Sequence, residues 1–328
     1  MTVRGAAAML AAVAAAVALA AAQLSQAPEQ GETLRVAVDV VSIYCTVTGP
    51  GKRLVTNLEK GDFDIFEDGK KQELRYFTRE VDRPITMALL VDTSISQAAV
   101  LPDEQRTAAL FLKQSLRPSD LALLITFDDN VDLLQDFTSE SGRLERALGR
   151  ARINKPLMGG PFPRPGPLGT RLYDAIYLAT NEKLATEVGR KALLILSDGY
   201  DAGSTMTLAQ AVEAVHRSDT LIYAIGISDP QFQGGRTMAA GASTLKRLAE
   251  ETGGRAVFPS GADELNEAFD QISAELRSQY SLGYTPANTA RDGRFRKVEV
   301  KVKTSGHQAK ARRGYYASRD SKTPEARP

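Results

Sequence analysis

From residue 85 onward, apolar runs alternate with amphipathic stretches, a grammar that predicts a parallel sheet covered by helices on both faces. Residues 85–91 read as a buried strand. Residues 105–116 place Ala108, Phe111, Leu112 and Leu116 on one helical face, and 121–127 and 131–134 return as strands. Leu172, Ala175, Ile176 and Ala179 mark the next helix, ahead of a strand over 192–196. Thr207 and Gln210 form a capping box opening a helix that buries Leu208, Ala211, Val212 and Val215. A strand over 221–225 follows, then a helix carrying Leu245 and Leu248 that stops at Gly253-Gly254. A short strand over 256–258 and a last helix with Leu265, Phe269, Ile272 and Leu276 bring the count to about six strands.

On either side the period falls to two. Residues 34–47 alternate, with Val36, Val38 and Val40 on one face and then Val41, Ile43, Cys45 and Val47, a change of phase that predicts a β-bulge. Gly49-Pro50-Gly51 makes a turn, and Phe63 to Phe66 leads into Asp68-Gly69, a two-residue hairpin signal ahead of Leu74 to Phe77. After Gln279 come Tyr280, Leu282 and Tyr284, then Val298, Val300 and Val302, and a strand near Tyr315-Tyr316. These strands are expected to pair with those before residue 80, so that the α/β domain is inserted between two halves of one sandwich-like β module.

Composition bounds the rest. A chain of 328 residues permits roughly two domains, and 43% hydrophobic with 25% charged residues is ordinary for a folded soluble protein. Forty-one basic against forty acidic residues leave a net charge of +1, so no global field recruits nucleic acid or an anionic membrane. The single cysteine, Cys45, excludes an intramolecular disulfide, and no cysteine–histidine cluster offers structural zinc. At the N-terminus Arg4 precedes an uncharged, alanine-rich run over 5–22 that ends in Ala20-Ala21-Ala22, the layout of a secretory signal. Export to the periplasm or the exterior is expected; an uncleaved membrane anchor is the alternative, because the run borders on spanning length. The expected layout is a signal peptide over 1–22, a linker over 23–33, β halves over 34–80 and 280–317, the α/β domain over 83–279, and a disordered tail over 318–328.

In an open parallel sheet, ligands sit beyond the carboxyl ends of the strands, where strand order reverses. Three loops converge there. The first strand ends in Val91-Asp92-Thr93-Ser94-Ile95-Ser96, a later one in Leu196-Ser197-Asp198-Gly199, and Gly169-Thr170 opens the helix between them. Two carboxylates and three hydroxyls suit a hard divalent cation, which wants oxygen ligands and retains water. Asp128, Asp129 and Asp201 are candidates for further contacts near the ligand. The loop over 155–168, with prolines 156, 161, 163, 165 and 167, leads directly to Thr170 and is placed to overhang the site.

Asp92-Ser94-Ser96 with Thr170 and Asp198 resembles the metal-ion-dependent adhesion site (MIDAS) of von Willebrand factor type A domains, and all five family positions are filled. The resemblance covers about 83–279. It implies a doubly wound, mostly parallel six-stranded α/β sheet in which Ser94, Ser96 and Thr170 coordinate directly and Asp92 and Asp198 act partly through water. It implies Mg²⁺, with Mn²⁺ or Ca²⁺ as alternatives, and a protein partner whose Asp or Glu completes the shell. Ile95 stands where many members carry glycine. Asp62-Phe63, Glu67-Asp68-Gly69 and Ser281-Leu282-Gly283-Tyr284 are similar to secreted bacterial proteins described only as related to that domain.

The expectation is a binder rather than an enzyme. His216 and His307 are expected on the surface without triad partners, and phosphate loops and dinucleotide fingerprints are missing, so no nucleotide is expected. A metal-dependent hydrolase of phosphatase type is the first alternative, but nucleophilic-aspartate chemistry wants a second aspartate where Ser94 stands. A purely structural envelope protein is the second.

Overall fold

The computed structural model describes residues 40–79, 83–154, 169–227 and 235–319, without the side chains of 235–238. The expected signal peptide and linker, the start of the expected first strand, the proline-rich loop and nearly all of the expected tail fall outside the described residues. Among those described, no helix is long and apolar enough to cross a membrane.

The chain begins with β1 (Val41–Thr48), β2 (Phe63–Glu67), β3 (Lys70–Gln72) and β4 (Leu74–Arg79). Asp68 and Gly69 both take positive φ, 47° and 79°, the primed turn whose twist matches a hairpin. A two-residue loop pairs the residues that flank it, so Glu67 faces Lys70 and the returning arm is β3. The arm is therefore not Leu74 to Phe77: those residues belong to β4, which crosses to the other sheet.

The α/β part runs β5 (Ile85–Asp92), α1 (Leu101–Ser115), β6 (Leu121–Phe127), β7 (Val131–Thr138), α2 (Ser141–Leu148) and α3 (Leu172–Tyr177). After α3, a π-helical stretch over Leu178–Lys183 leads to β8 (Arg190–Ser197), α4 (Leu208–Arg217), β9 (Thr220–Gly226), α5 (Gly235–Thr252), β10 (Arg255–Val257) and α6 (Ala262–Leu276). Its six strands lie in the order β10-β9-β8-β5-β6-β7, parallel except for β7. Every residue of β5 and β8 is buried, and successive residues feed opposite faces. Met87, Leu89 and Val91 pack with α1, α2 and α6, whereas Ala88 and Leu90 pack with α3, α4 and α5. The molecule is thus α/β with helices on both faces of a mostly parallel sheet. Thr207 caps α4 as expected, accepting from Gln210 N at 3.3 Å while its own N–H donates to Gln210 Oε1 at 2.9 Å.

Then follow β11 (Tyr280–Tyr284), β12 (Phe295–Val302), β13 (Gln308–Ala311) and β14 (Gly314–Tyr316). They pair antiparallel with the first strands in two four-stranded sheets, β13-β1-β11-β4 and β14-β12-β2-β3. Ile43, Cys45, Phe63, Ile65, Tyr280, Leu282 and Val300 form the core between them. Glu67, buried in that core, accepts hydrogen bonds from Tyr284 Oη at 2.8 Å and Tyr315 Oη at 2.9 Å, which ties the two sheets together.

His216 departs from its expected surface position. It is 4% exposed and its ring meets Phe295 edge-on at 5.2 Å, because the face of α4 that carries it packs against the β strands. Burial, and next the charge of Arg312, push its pKa down to about 4. Cys45 is buried, and burial raises its thiol pKa.

Candidate metal centre

The strand order places the reversal between β5 and β8. From β5 the chain moves outward through β6 and β7, then returns to the other side of β5 as β8 and continues to β9. The loops leaving β5 and β8 therefore diverge, and their parting leaves a crevice at the carboxyl ends of two adjacent strands. Parallel register sets Val91 opposite Leu196, which brings Asp92 level with Ser197.

Asp92, the last residue of β5, is fully buried. One of its oxygens accepts from Ser94 N at 2.9 Å and the other from Ser197 Oγ at 2.6 Å. The first bond tightens the turn that follows, so that Ser94 Oγ and Ser96 Oγ come to 3.1 Å of each other. The fully buried Gln97 then donates to Ser96 Oγ from behind, at 3.4 Å. Ile95 sits within this 3₁₀ turn, and it is not among the non-glycine residues of positive φ. The turn therefore needs no glycine there.

Asp198 follows β8. Its carboxylate accepts from Tyr200 N at 2.9 Å, and Gly199 N donates to Ser197 Oγ at 2.9 Å. Gly199 has φ +80°, and a Cβ on it would collide with the backbone of Gly241, while a Cβ on Gly241 would strike the carbonyl oxygen of Asp198. Two glycines thus let the Asp198 loop press directly on α5.

A cleft of about 190 Å³ opens here, lined by Ser94, Ser96, Thr170 and Asp198 among others. Four of the five residues singled out by sequence line it, and Asp92 lies beneath. Of the three further aspartates, Asp128 and Asp129 also line the cleft. Asp128 holds the loops together, accepting from Thr93 Oγ1 at 2.8 Å and Asn154 Nδ2 at 3.3 Å. Asp129 accepts from Gly169 N and so fixes the approach to Thr170. Asp201 is not on the lining: it accepts from Tyr173 N at 3.1 Å and Ser204 Oγ at 2.5 Å, serving the start of α3.

Sequence reasoning missed Asn154 and Tyr200, which line the cleft, and Gln97 and Glu104, which lie behind it. Glu104 was readable. It occupies the core-facing stripe of α1 with Leu101, Ala108 and Phe111, where an apolar residue is the rule.

The electrostatics ask for a cation. Burial, and next the charge of Asp198, push the Asp92 carboxyl up to about 7. Burial, with Asp92 and Asp198 adding, raises that of Glu104 well above its ordinary range. Among the described residues, this cleft included, no three His, Cys, Asp or Glu side chains converge as a metal cage. This cleft instead offers hydroxyls with two carboxylates, a donor set that fits a hard divalent ion. In an octahedron of radius 2.0–2.1 Å, adjacent oxygens lie about 2.9 Å apart, close to the observed separation of the two serine hydroxyls.

No protein-family model matches the chain, and no curated protein does. Among solved structures, the chain is similar to the conserved hypothetical protein BatB from Bacteroides thetaiotaomicron, at 19% identity and a TM-score of 0.44 over 58% of this chain and 97% of that one. It is also similar to the vWF domain of the type V pili tip protein Mfa5 from Porphyromonas gingivalis, at 14% identity and a TM-score of 0.45, covering 59% and 95%. A third is proximal thread matrix protein 1 from the mussel byssus with a zinc-occupied MIDAS motif, at 15% identity and a TM-score of 0.48, covering 64% and 50%.

Proposed function

We propose that this protein is an exported binding module of the von Willebrand factor type A kind, which engages an acidic side chain of a partner protein through a divalent cation held in the cleft. Ser94, Ser96 and Thr170 with Asp92 and Asp198 hold the ion, and Mg²⁺ is the cation that the oxygen donors favour. Bound there, the cation supplies a positive centre able to accept a carboxylate.

One observation carries this reading: negative charge is concentrated at the switch point of the sheet, and among the described residues no positive group acts on Asp92. An acid pushed up to about 7 beside a second carboxylate is a poor structural device and a good half of an ion site. The hydrogen bonding of Asp92 supports a binder over a phosphatase-like enzyme, because both of its oxygens are engaged by Ser94 N and Ser197 Oγ rather than presented to a substrate. The alanine-rich N-terminal sequence supports export.

The test is partner capture from envelope or extracellular extracts, using wild type and Asp92→Ala, each with Mg²⁺ and with chelator. Capture is expected only by wild type with Mg²⁺. Capture indifferent to both changes overturns the cation-bridged reading, and metal-dependent phosphoester turnover abolished by Asp92→Asn would replace it with the enzyme.

A further inference from the structure

Glu104 lies in the first turn of α1 and is fully buried, yet neither carboxylate oxygen has a hydrogen-bond partner. A buried carboxylate is costly unless paired, and among the described residues no cation acts on this one. The charges that act on it are Asp92 and Asp198, both of its own sign. Two core-facing positions further along the same stripe carry Ala108 and Phe111, so packing alone would be served by an apolar side chain. Of the buried side-chain atoms left without a partner, Gln97 Oε1 also belongs to this end of the molecule, and Gln97 already holds Ser96 through its other amide atom.

We propose that Glu104 is a further residue of the cation site, a third carboxylate that acts from the α1 side by accepting hydrogen bonds from water bound to the ion. This rests on the cleft being a cation site. Glu104 is absent from the cleft lining and makes no bond to Asp92 or Asp198, so it reaches the ion through water rather than as a direct ligand. A hard divalent ion keeps several waters, and buried water characteristically satisfies polar atoms that nothing else reaches. The arrangement also gives Glu104 a reason to remain acidic in an otherwise apolar stripe: a bound dication offsets the charge that three neighbouring carboxylates would otherwise bring against one another.

The experiment is calorimetric titration with Mn²⁺ on wild type, Glu104→Gln and Glu104→Met. Asp103→Asn, which alters the exposed neighbour on the same turn, serves as control. Thermal melting of each protein with Mn²⁺ and with chelator provides the second readout. Glutamine keeps the shape and loses the charge. It is expected to weaken Mn²⁺ binding by roughly 10–100-fold, the usual cost of losing a partner behind the ligands. The rise in melting temperature given by Mn²⁺ should shrink with it. Glu104→Met, which restores an apolar stripe, should melt higher than wild type in chelator while showing the same loss of affinity. Asp103→Asn should match wild type. A Glu104→Gln protein that binds Mn²⁺ as tightly as wild type overturns the proposal, whatever its melting temperature in chelator. Wild type that binds no Mn²⁺ overturns both this proposal and the reading of the cleft on which it rests.

Discussion

Asp92 and Asp120 are both buried aspartates, at opposite ends of the same sheet, and their surroundings push them in opposite directions. Asp120 lies where β5 and β6 begin. One of its oxygens accepts from Ile85 N at 2.9 Å, the other from Arg117 N at 2.9 Å, and Arg277 pairs with it. Those donors hold its carboxyl below the ordinary range even though burial works against them. Asp92, where β5 ends, has two donors and, among the described residues, no counter-charge, and its pKa rises. Arg190 repeats the lesson at the Asp120 end, where its guanidinium meets the Gln279 side chain and the Leu276 carbonyl. A charge completed within the chain belongs to the scaffold. A charge left open at a strand terminus asks for something from outside.

The comparison breaks most visibly at its satisfied end. Asp120→Ala removes the acceptor from two backbone N–H groups and leaves the largely buried Arg277 without its partner. A cost of about 3–5 kcal/mol is expected, read as a lower urea midpoint at unchanged slope. The extra stability conferred by Mg²⁺ should survive in the variant, because the two ends share no ligand. Loss of the Mg²⁺ effect would show instead that they are coupled.

The open end has its own signature, in pH. In chelator, the folded protein keeps a proton on Asp92 up to about pH 7, whereas the unfolded chain releases it near the ordinary value of 3.8. Between those limits the folded state binds more protons, so stability falls as pH rises and levels off above about 7. This group alone gives a slope of about 1.4 kcal/mol per pH unit within the window. Glu104, raised in the same direction, adds to it with the same sign. The stabilisation given by Mg²⁺ should run the other way and grow with pH, because the ion competes with those protons. Urea titrations from pH 4 to 8 with chelator and with Mg²⁺ read both slopes. A flat profile in chelator would mean that Asp92 carries no uncompensated charge.

How much of this was legible in the sequence follows the same division between local and long-range causes. The strands of the parallel sheet were readable, because burial on both faces makes each a continuous apolar run, as in residues 121–127. The convergence of Ser94, Ser96, Thr170 and Asp198 was readable too, because three lie just past strand ends that the fold must bring together and Thr170 lies just before the helix between them. β3 and β13 were not: Lys70–Gln72 is polar throughout, the alternation in Gln308–Ala311 rests on two small alanines, and both strands owe their existence to the strands they pair with. His216 was misjudged because the surface of α4 is covered by residues near 295 and 316, which no local pattern announces. Tyr200 and Asn154 reach the cleft through loop packing and left no signal.

Ile95 allows the smallest and most specific test. Glycine there would match the family pattern that this chain resembles, which suggests at first sight that isoleucine impairs the turn. The geometry argues otherwise. Ile95 is half-buried in a 3₁₀ turn of ordinary φ, and the Ser94–Ser96 contact that the turn exists to make is formed with isoleucine in place. Glycine would add freedom to the unfolded chain and remove packing, so Ile95→Gly is expected to cost roughly 0.5–1 kcal/mol. Mn²⁺ affinity by calorimetry should stay within about twofold of wild type, since a shift of that size is well under 1.4 kcal/mol. A tenfold gain in affinity would show that isoleucine distorts the ligand turn, and the open end of the sheet would then be strained as well as uncompensated.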